Sequence, residues 1–197
     1  VPEPLTPTAT AVTSEKRTDW SRASTVTLPG TVSGSLAVAI TRADNNIGGS
    51  ATATIDGTDV TGGGATFRVQ SVYAANIDAI GVAAALAVSG SGGISLTLAA
   101  AAADLRNVMT NVVEASIKGG GSATTPATVT VRATDTSAID ATVVSAAIGF
   151  AGSGALAVTL NLAIARAQNT YSTQVRAVVD GADVTSSAGS VVVDALS

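Results

Sequence analysis

Residues 173–195 read TQVRAVVDGADVTSSAGSVVVDA. Val175, Ala177 and Val179 alternate with Gln174 and Arg176 before Asp180-Gly181 interrupts the pattern. Alternation with period two predicts a strand half-buried on one face, because successive side chains of a pleated chain point to opposite sides. Asp-Gly predicts a tight turn, and a short strand, a Gly turn and a final strand follow it. The same unit occurs twice earlier. Ile55, Ile117 and Val179 lie 62 residues apart, as do Asn45, Asn107 and Asn169, and Val69, Val131 and Val193. An internal repeat of this length predicts a supersecondary unit stacked on copies of itself.

Working outward, each unit has four parts. The first runs over 76–88 and 139–150, with Val82, Ala84, Leu86 and Val88 on one face and Val144, Ala146, Ile148 and Phe150 as their counterparts. A Gly-Ser turn follows at Gly90-Ser91-Gly92 and Gly152-Ser153-Gly154. The second part alternates through Leu96, Leu98, Ala100 and Ala102, then Val158, Leu160, Leu162 and Ile164, and earlier through Leu36, Val38 and Ile40. The third carries Ala51, Ala53 and Ile55 or Val113, Ala115 and Ile117, and the fourth Phe67 and Val69 or Val129 and Val131. One stretch argues the other way: 98–118, LAAAAADLRNVMTNVVEASIK, passes as a helix on propensity. Its equivalents alternate as strands, and copies of one unit share one fold, so the reading is β throughout. The expected fold is all-β, a β-solenoid or stacked-sheet rod, in which the unit is either three short coils or one large four-sided coil. The expected division is an extended N-terminal arm over 1–24 and an array over 25–197, with repeats at about 25–75, 76–137 and 138–197.

Composition narrows the functions. Charged residues are 12% of the chain, about half the usual share. Hydrophobic residues are 46% but aromatics only 3%, so the core is expected to be thin and built on Ala and Val. A net charge of −4 with no basic stripe argues against nucleic acid. The chain has no Cys, hence no disulfide framework or thiolate metal site. It has no His, which removes the commonest general base. No apolar run reaches the roughly 18 residues of a membrane helix, since Ser89-Gly90-Ser91-Gly92-Gly93 interrupts the most apolar stretch, 77–103. No membrane span is therefore expected. The chain opens on Val1, which suits a mature or excised product.

The candidate chemistry is sparse. Asp56, Asp59, Asp180 and Asp183 form the only recurrent acidic pairs. They could offer oxygens to Ca²⁺, but turn formation, with the carboxylate bonding nearby backbone N–H groups, is the stronger reading. No Ser has a His partner, and Lys16 and Lys118 lie in no Ser-x-x-Lys motif. The Gly runs lack the ending of a phosphate loop. No enzyme activity and no cofactor is expected. Asn45, Asn107 and Asn169 read as a stacked Asn turn, whose amides bond one above another. None of the three is a glycan acceptor, since Asn169-Thr170-Tyr171 lacks the required third residue.

The array is out of phase with its ends, which leaves an open strand edge at each, and open edges invite another chain. Five residues are the expected assembly contacts: Trp20, Val26 and Leu28 in an arm that adds a strand to a neighbour, and Val191 and Val193 in the last strand, which is apolar and almost uncharged.

The residues Asn169-Thr170, Val175, Ala177, Val179-Asp180-Gly181-Ala182, Val184-Thr185, Gly189, Val191, Val193 and Ala195 resemble a unit of very large secreted bacterial surface proteins. These are the leukotoxin-like filamentous adhesins and related repeat-rich exoproteins. The first repeat keeps Asn45, Ala53, Ile55-Asp56-Gly57, Val60-Thr61 and Val69, whereas the middle one has Lys118-Gly119-Gly120-Gly121 in place of the Asp-Gly turn. The likeness covers roughly 34–195 and implies a β-solenoid-like rod on, or shed from, a bacterial surface.

The expected function is a structural subunit or segment of an extracellular fibre or filament, secreted or on the cell surface, that polymerises with copies of itself head to tail. A second reading is an adhesin stalk or binding module for a glycan or surface ligand. A third is a phage or virus fibre component, which would trimerise. A bland fallback is an inert spacer.

Overall fold

In a computed structural model of the chain, the described residues are 8–12, 17–28 and 32–197. Among them are thirteen strands and no helix. Two strands come first, β1 (Thr8–Val12) and β2 (Arg17–Leu28). A first tier follows: β3 (Val32–Asp56), β4 (Val60–Thr61), β5 (Phe67–Ala74) and β6 (Asn76–Ser91). The second tier is β7 (Ile94–Lys118), β8 (Ser122–Thr125), β9 (Val129–Asp135) and β10 (Ala138–Ser153). The third is β11 (Leu156–Asp180), β12 (Asp183–Ser186) and β13 (Val191–Leu196).

Equivalent strands pair in parallel from tier to tier. β3 pairs with β7 and β7 with β11, so Ile55, Ile117 and Val179 stand in one row. β5, β9 and β13 form a second stack, β6 and β10 a third, and β4, β8 and β12 a short fourth. The protein is therefore all-β and built of stacked parallel strands. The helix-prone stretch 98–118 lies within β7, where it bonds to a strand on either side. Two neighbouring ladders outweigh its local preference.

The second and third parts of the unit, read above as separate strands, are one strand of 25 residues, Ile94–Lys118 in the second tier. The chain then returns along the opposite layer in two steps, β9 and β10. Each tier is thus one large coil, flattened and with one long side, rather than three short coils. At one end the middle tier departs from its neighbours. Val60 and Val184 both pair with Ala123, so the turn before β8 is one residue longer than its equivalents and the segment after it one shorter. Gly119 and Gly120 take φ of 83° and 75° to form that longer turn, where the outer tiers use single glycines, Gly57 at 58° and Gly181 at 61°. Positive φ is cheap only without a Cβ, which explains why this tier replaces Asp-Gly with three glycines.

Two cores lie between the layers. One holds Ile47, Tyr73, Leu105, Met109 and Ile117 among smaller residues. The other is entirely alanine: Ala37, Ala39, Ala83, Ala85, Ala87, Ala99, Ala101 and Ala103. Here the layers approach within one side chain's reach. Ser145 donates across to the Ala101 carbonyl at 2.9 Å, and Thr41 to that of Val82 at 2.8 Å. A Cβ on Gly149 would stand 2.6 Å from Asn161 Oδ1 and 2.8 Å from Thr159 Cγ2. The side chains buried between backbones this close are small, Ala and Ser with Thr97 opposite Gly149, so the slab is thin at the Gly-Ser turns and thicker at the opposite end. Val82, Leu86 and Val88, with Val144, Ile148 and Phe150 beside them, consequently face outward and are exposed.

Candidate functional site

Within the thicker end, polar side chains are stacked inside the core. Asn45 Nδ2 donates to Asn107 Oδ1 at 2.7 Å, and Asn107 Nδ2 to Asn169 Oδ1 at 2.8 Å. Asn45 and Asn107 are buried. These three residues do not form a turn: they sit inside β3, β7 and β11, paired row to row. Parallel in-register stacking places identical amides one strand spacing apart, about 4.8 Å, which is the separation an amide-to-amide bond spans. The bonds run in one direction, so the ladder carries a donor towards the third tier.

A second polar group was missed by the sequence reading. Asp135 is buried where β9 ends. It accepts from the Ser137 backbone N–H at 2.9 Å and from the Ser137 hydroxyl, from Asn111 Nδ2 at 3.3 Å and from the Tyr171 hydroxyl at 3.1 Å. Burial alone would raise its pKa; the Ser137 side-chain and backbone bonds, with Asn111 and Tyr171, hold it below the usual carboxylate value. In the first tier the same row holds Tyr73, which pairs with Asp135. There Gly49 lies so close to the Tyr73 ring and hydroxyl that a Cβ would collide with them. The sequence signal was available: Asn111 and Asp135 occupy the rows of Gly49 and Tyr73, a paired change of small-plus-large to polar-plus-polar.

The four turn aspartates do not converge. Asp56 and Asp180 are separated by the middle tier, since both strands pair with β7 at Lys118. Asp59 Oδ1 accepts from the Ser122 backbone N–H and hydroxyl, each at 2.9 Å. It caps the turn of the next tier, a structural task for a carboxylate. Asp183 donates its N–H to the Gly121 carbonyl at 3.0 Å. Among the described residues no three His, Cys, Asp or Glu side chains are grouped so as to hold a metal.

Charge is stacked with alternating sign on the outer face of the long sheet. Arg42, Asp104 and Arg166 share one row, Asp44, Arg106 and Gln168 another. Arg42 also bonds Asp44 at 2.9 Å. An open hollow of about 300 Å³ lies here, lined by Arg42, Asp44, Asn45, Asn46, Arg106 and Val108. Elsewhere Arg132 bridges to Asp194 in the third tier at 2.9 Å.

The two ends of the stack differ. At the first, β2 pairs antiparallel with β3 from Arg17↔Asn45 to Leu28↔Gly34, and β1 pairs parallel with β5. The expected boundary at residue 24 therefore falls inside a strand. That strand lies on the chain's own first tier, antiparallel to a long strand. Trp20 pairs with Arg42, Val26 with Leu36 and Leu28 with Gly34; the side chains of Trp20, Val26 and Leu28 lie outside the described residues. At the other end, β10, β11, β12 and β13 are each last in their sheets. Val69 and Val131 are 0% exposed, whereas Val193, next in the same row, is 46% exposed. Val191 is exposed likewise, above a buried Val129.

No protein-family model, curated protein or solved structure matches the chain.

Proposed function

We propose that the chain is a β-solenoid of 62-residue repeats serving as a structural segment of an extracellular bacterial fibre or filament. In this reading the segment is secreted or surface-bound, needs no cofactor, catalyses nothing and extends by stacking on copies of itself. One observation carries the proposal. Positions sealed in the first two tiers are open in the third, so the cross-section at β10–β13 is a core surface that a further layer would seal. The unpaired N–H and C=O groups of those strands add directional affinity to the exposed apolar surface. The one-way Asn ladder supports growth of a defined polarity, because a donor at one end of a copy meets an acceptor at the other. The resemblance to repeat-rich bacterial exoproteins supports the surface location.

Growth at the first tier meets β2, which must either take the incoming strand on its own free edge or give way to it. Electron microscopy and mass measurement over rising protein concentration test the reading. The expected result is rods that lengthen along the stacking direction. Monomers at high concentration overturn it, and a closed trimer favours the phage or virus fibre reading instead.

A further inference from the structure

Growth by stacking needs the whole outer edge of β3, and β2 occupies part of it. β2 covers Gly34 to Asn45, twelve of the 25 rows of β3. A second copy's β11 would have to add to β3 as β7 does on the other edge, row by row from Val32 to Asp56. Seated on β2 instead, it would pair over at most twelve rows and hang clear of the rest. β1 is a smaller obstacle, since it would meet an incoming β13 only at the rows of Gln70, Ser71 and Val72. β2 therefore has to leave, and its backbone N–H and C=O groups need new partners.

A second place is ready for it. β6 pairs with β10 along one edge, and its other edge takes no strand among the described residues. Along the chain β2 stands 62 residues before Ala79–Gly90 of β6, the separation at which β1 stacks on β5, β3 on β7 and β6 on β10. The residue types agree with that place. Ser21, Ala23, Thr25 and Thr27 stand at the spacing of Ala83, Ala85, Ala87 and Ser89, all buried. Trp20 and Val26 stand at that of Val82 and Val88, both exposed, and Pro29-Gly30 at that of Ser91-Gly92. Three residues separate β2 from β3, whereas two suffice between β6 and β7, which lie in opposite layers. The move is also short, because β2 comes within 8 Å of β6 between Cα atoms.

We infer that β2 is a strand with two seats. At rest it lies antiparallel on β3. During growth it lies parallel on β6, with Arg17 opposite Ala79 and Leu28 opposite Gly90, which clears β3 for a second copy's β11. Twelve rows are lost and twelve gained, so the exchange leaves β2 paired throughout. Two features keep the strand at rest. Antiparallel rows are slightly more stable than parallel ones, and Arg17 stands opposite the polar Asn45 rather than the apolar Ala79. The inference rests on the stacking reading and adds its regulation: growth waits on the release of β2.

The chain has no cysteine, so two engineered disulfides distinguish the seats. Ser24→Cys with Val38→Cys joins residues that are opposite each other at rest. Ser24→Cys with Leu86→Cys joins residues that are opposite each other in the second seat. Neighbouring strands hold such pairs about 5 Å apart between Cα atoms, within a disulfide's range. Each full chain is oxidised either as a dilute monomer or after assembly, imaged, and run without reductant to read the intrachain link. The 24–38 link should prevent rods even at about ten times the concentration at which the reduced chain forms them, and reductant should restore growth. The 24–86 link should form in rods, and chains carrying it should grow from an about tenfold lower concentration. Rods from chains whose 24–38 link is intact overturn this inference and leave the stacking reading standing. So does a 24–86 link that never forms while the reduced chains assemble. Absence of rods from the parent chain overturns the stacking reading and this inference together. Circular dichroism before and after reduction establishes that each variant is folded.

Discussion

Asn107 is the most constrained polar residue of the chain, because it is fully buried and bonds in both directions along the stack. Replacing it by alanine strips Asn45 of its acceptor and Asn169 of its donor. Asn107→Ala should cost roughly 2–4 kcal/mol, the penalty of orphaning buried amides. Asn169→Ala should cost less, since Asn169 is exposed and water reaches the group left behind. Equal losses for the two in urea denaturation would contradict a ladder anchored in the middle tier. Asp135 gives a prediction in pH. Its folded pKa lies below the ordinary 3.8, so its hydrogen bonds stabilise the fold fully above that value and stop doing so as pH falls through the lower, folded one. Asp135→Asn should therefore be less stable than the parent at neutral pH, with the gap closing below about pH 4. A denaturation midpoint difference that is constant from pH 7 to pH 3 would argue against this.

Among the elements, β2 has the clearest separable task. It runs antiparallel to β3, whereas the other pairings among described residues are parallel. A reversed strand blunts the first tier, because the stacking surface it offers differs from that of another tier. Removal of residues 1–28 exposes the β3 edge from Gly34 to Asn45. Sedimentation velocity should then show association at a concentration at least about tenfold lower, with each newly paired strand contributing more than the roughly 1.4 kcal/mol that tenfold represents. Unchanged or weaker association would mean that β2 is part of the joint rather than a guard over it. The legibility of the sequence also varies by element. The alternation in 51–55 and 113–117 was enough to find strands, and the shared spacing was enough to overrule helix propensity in 98–118. Neither could say that the second and third parts of the unit are one strand. A period-two pattern continues unchanged through a strand and carries no mark of where a bend is absent.

For the whole molecule, the asymmetry between its ends is the property that matters. Val131 and Val193 occupy the same row, one sealed and one open. Val131→Asp buries a lone charge and should destabilise the fold by on the order of 4 kcal/mol. Val193→Asp should change the stability of the isolated chain by less than about 1 kcal/mol, yet abolish rod growth in the microscope, because it places charge on the surface the next tier must cover. If Val193→Asp rods grow normally, stacking does not use that end.

By itself the sequence determined the strands, their turns, the rows that equivalent residues share and the poverty of catalytic groups. These follow from local chemistry: alternation, Gly and Asp at turns, and the spacing of near-copies. Only the tertiary structure decided which face of each strand points inward. Alternation defines two faces without ranking them, and in the half next to the Gly-Ser turns the ranking runs against side-chain size. There alanine lies inside because two backbones come within one hydroxyl's reach, and Leu86 and Phe150 lie outside because little space remains between the layers. The Asp135 cluster was hidden for a related reason: its members come from distant strands, and only the stacking of tiers brings them to one place.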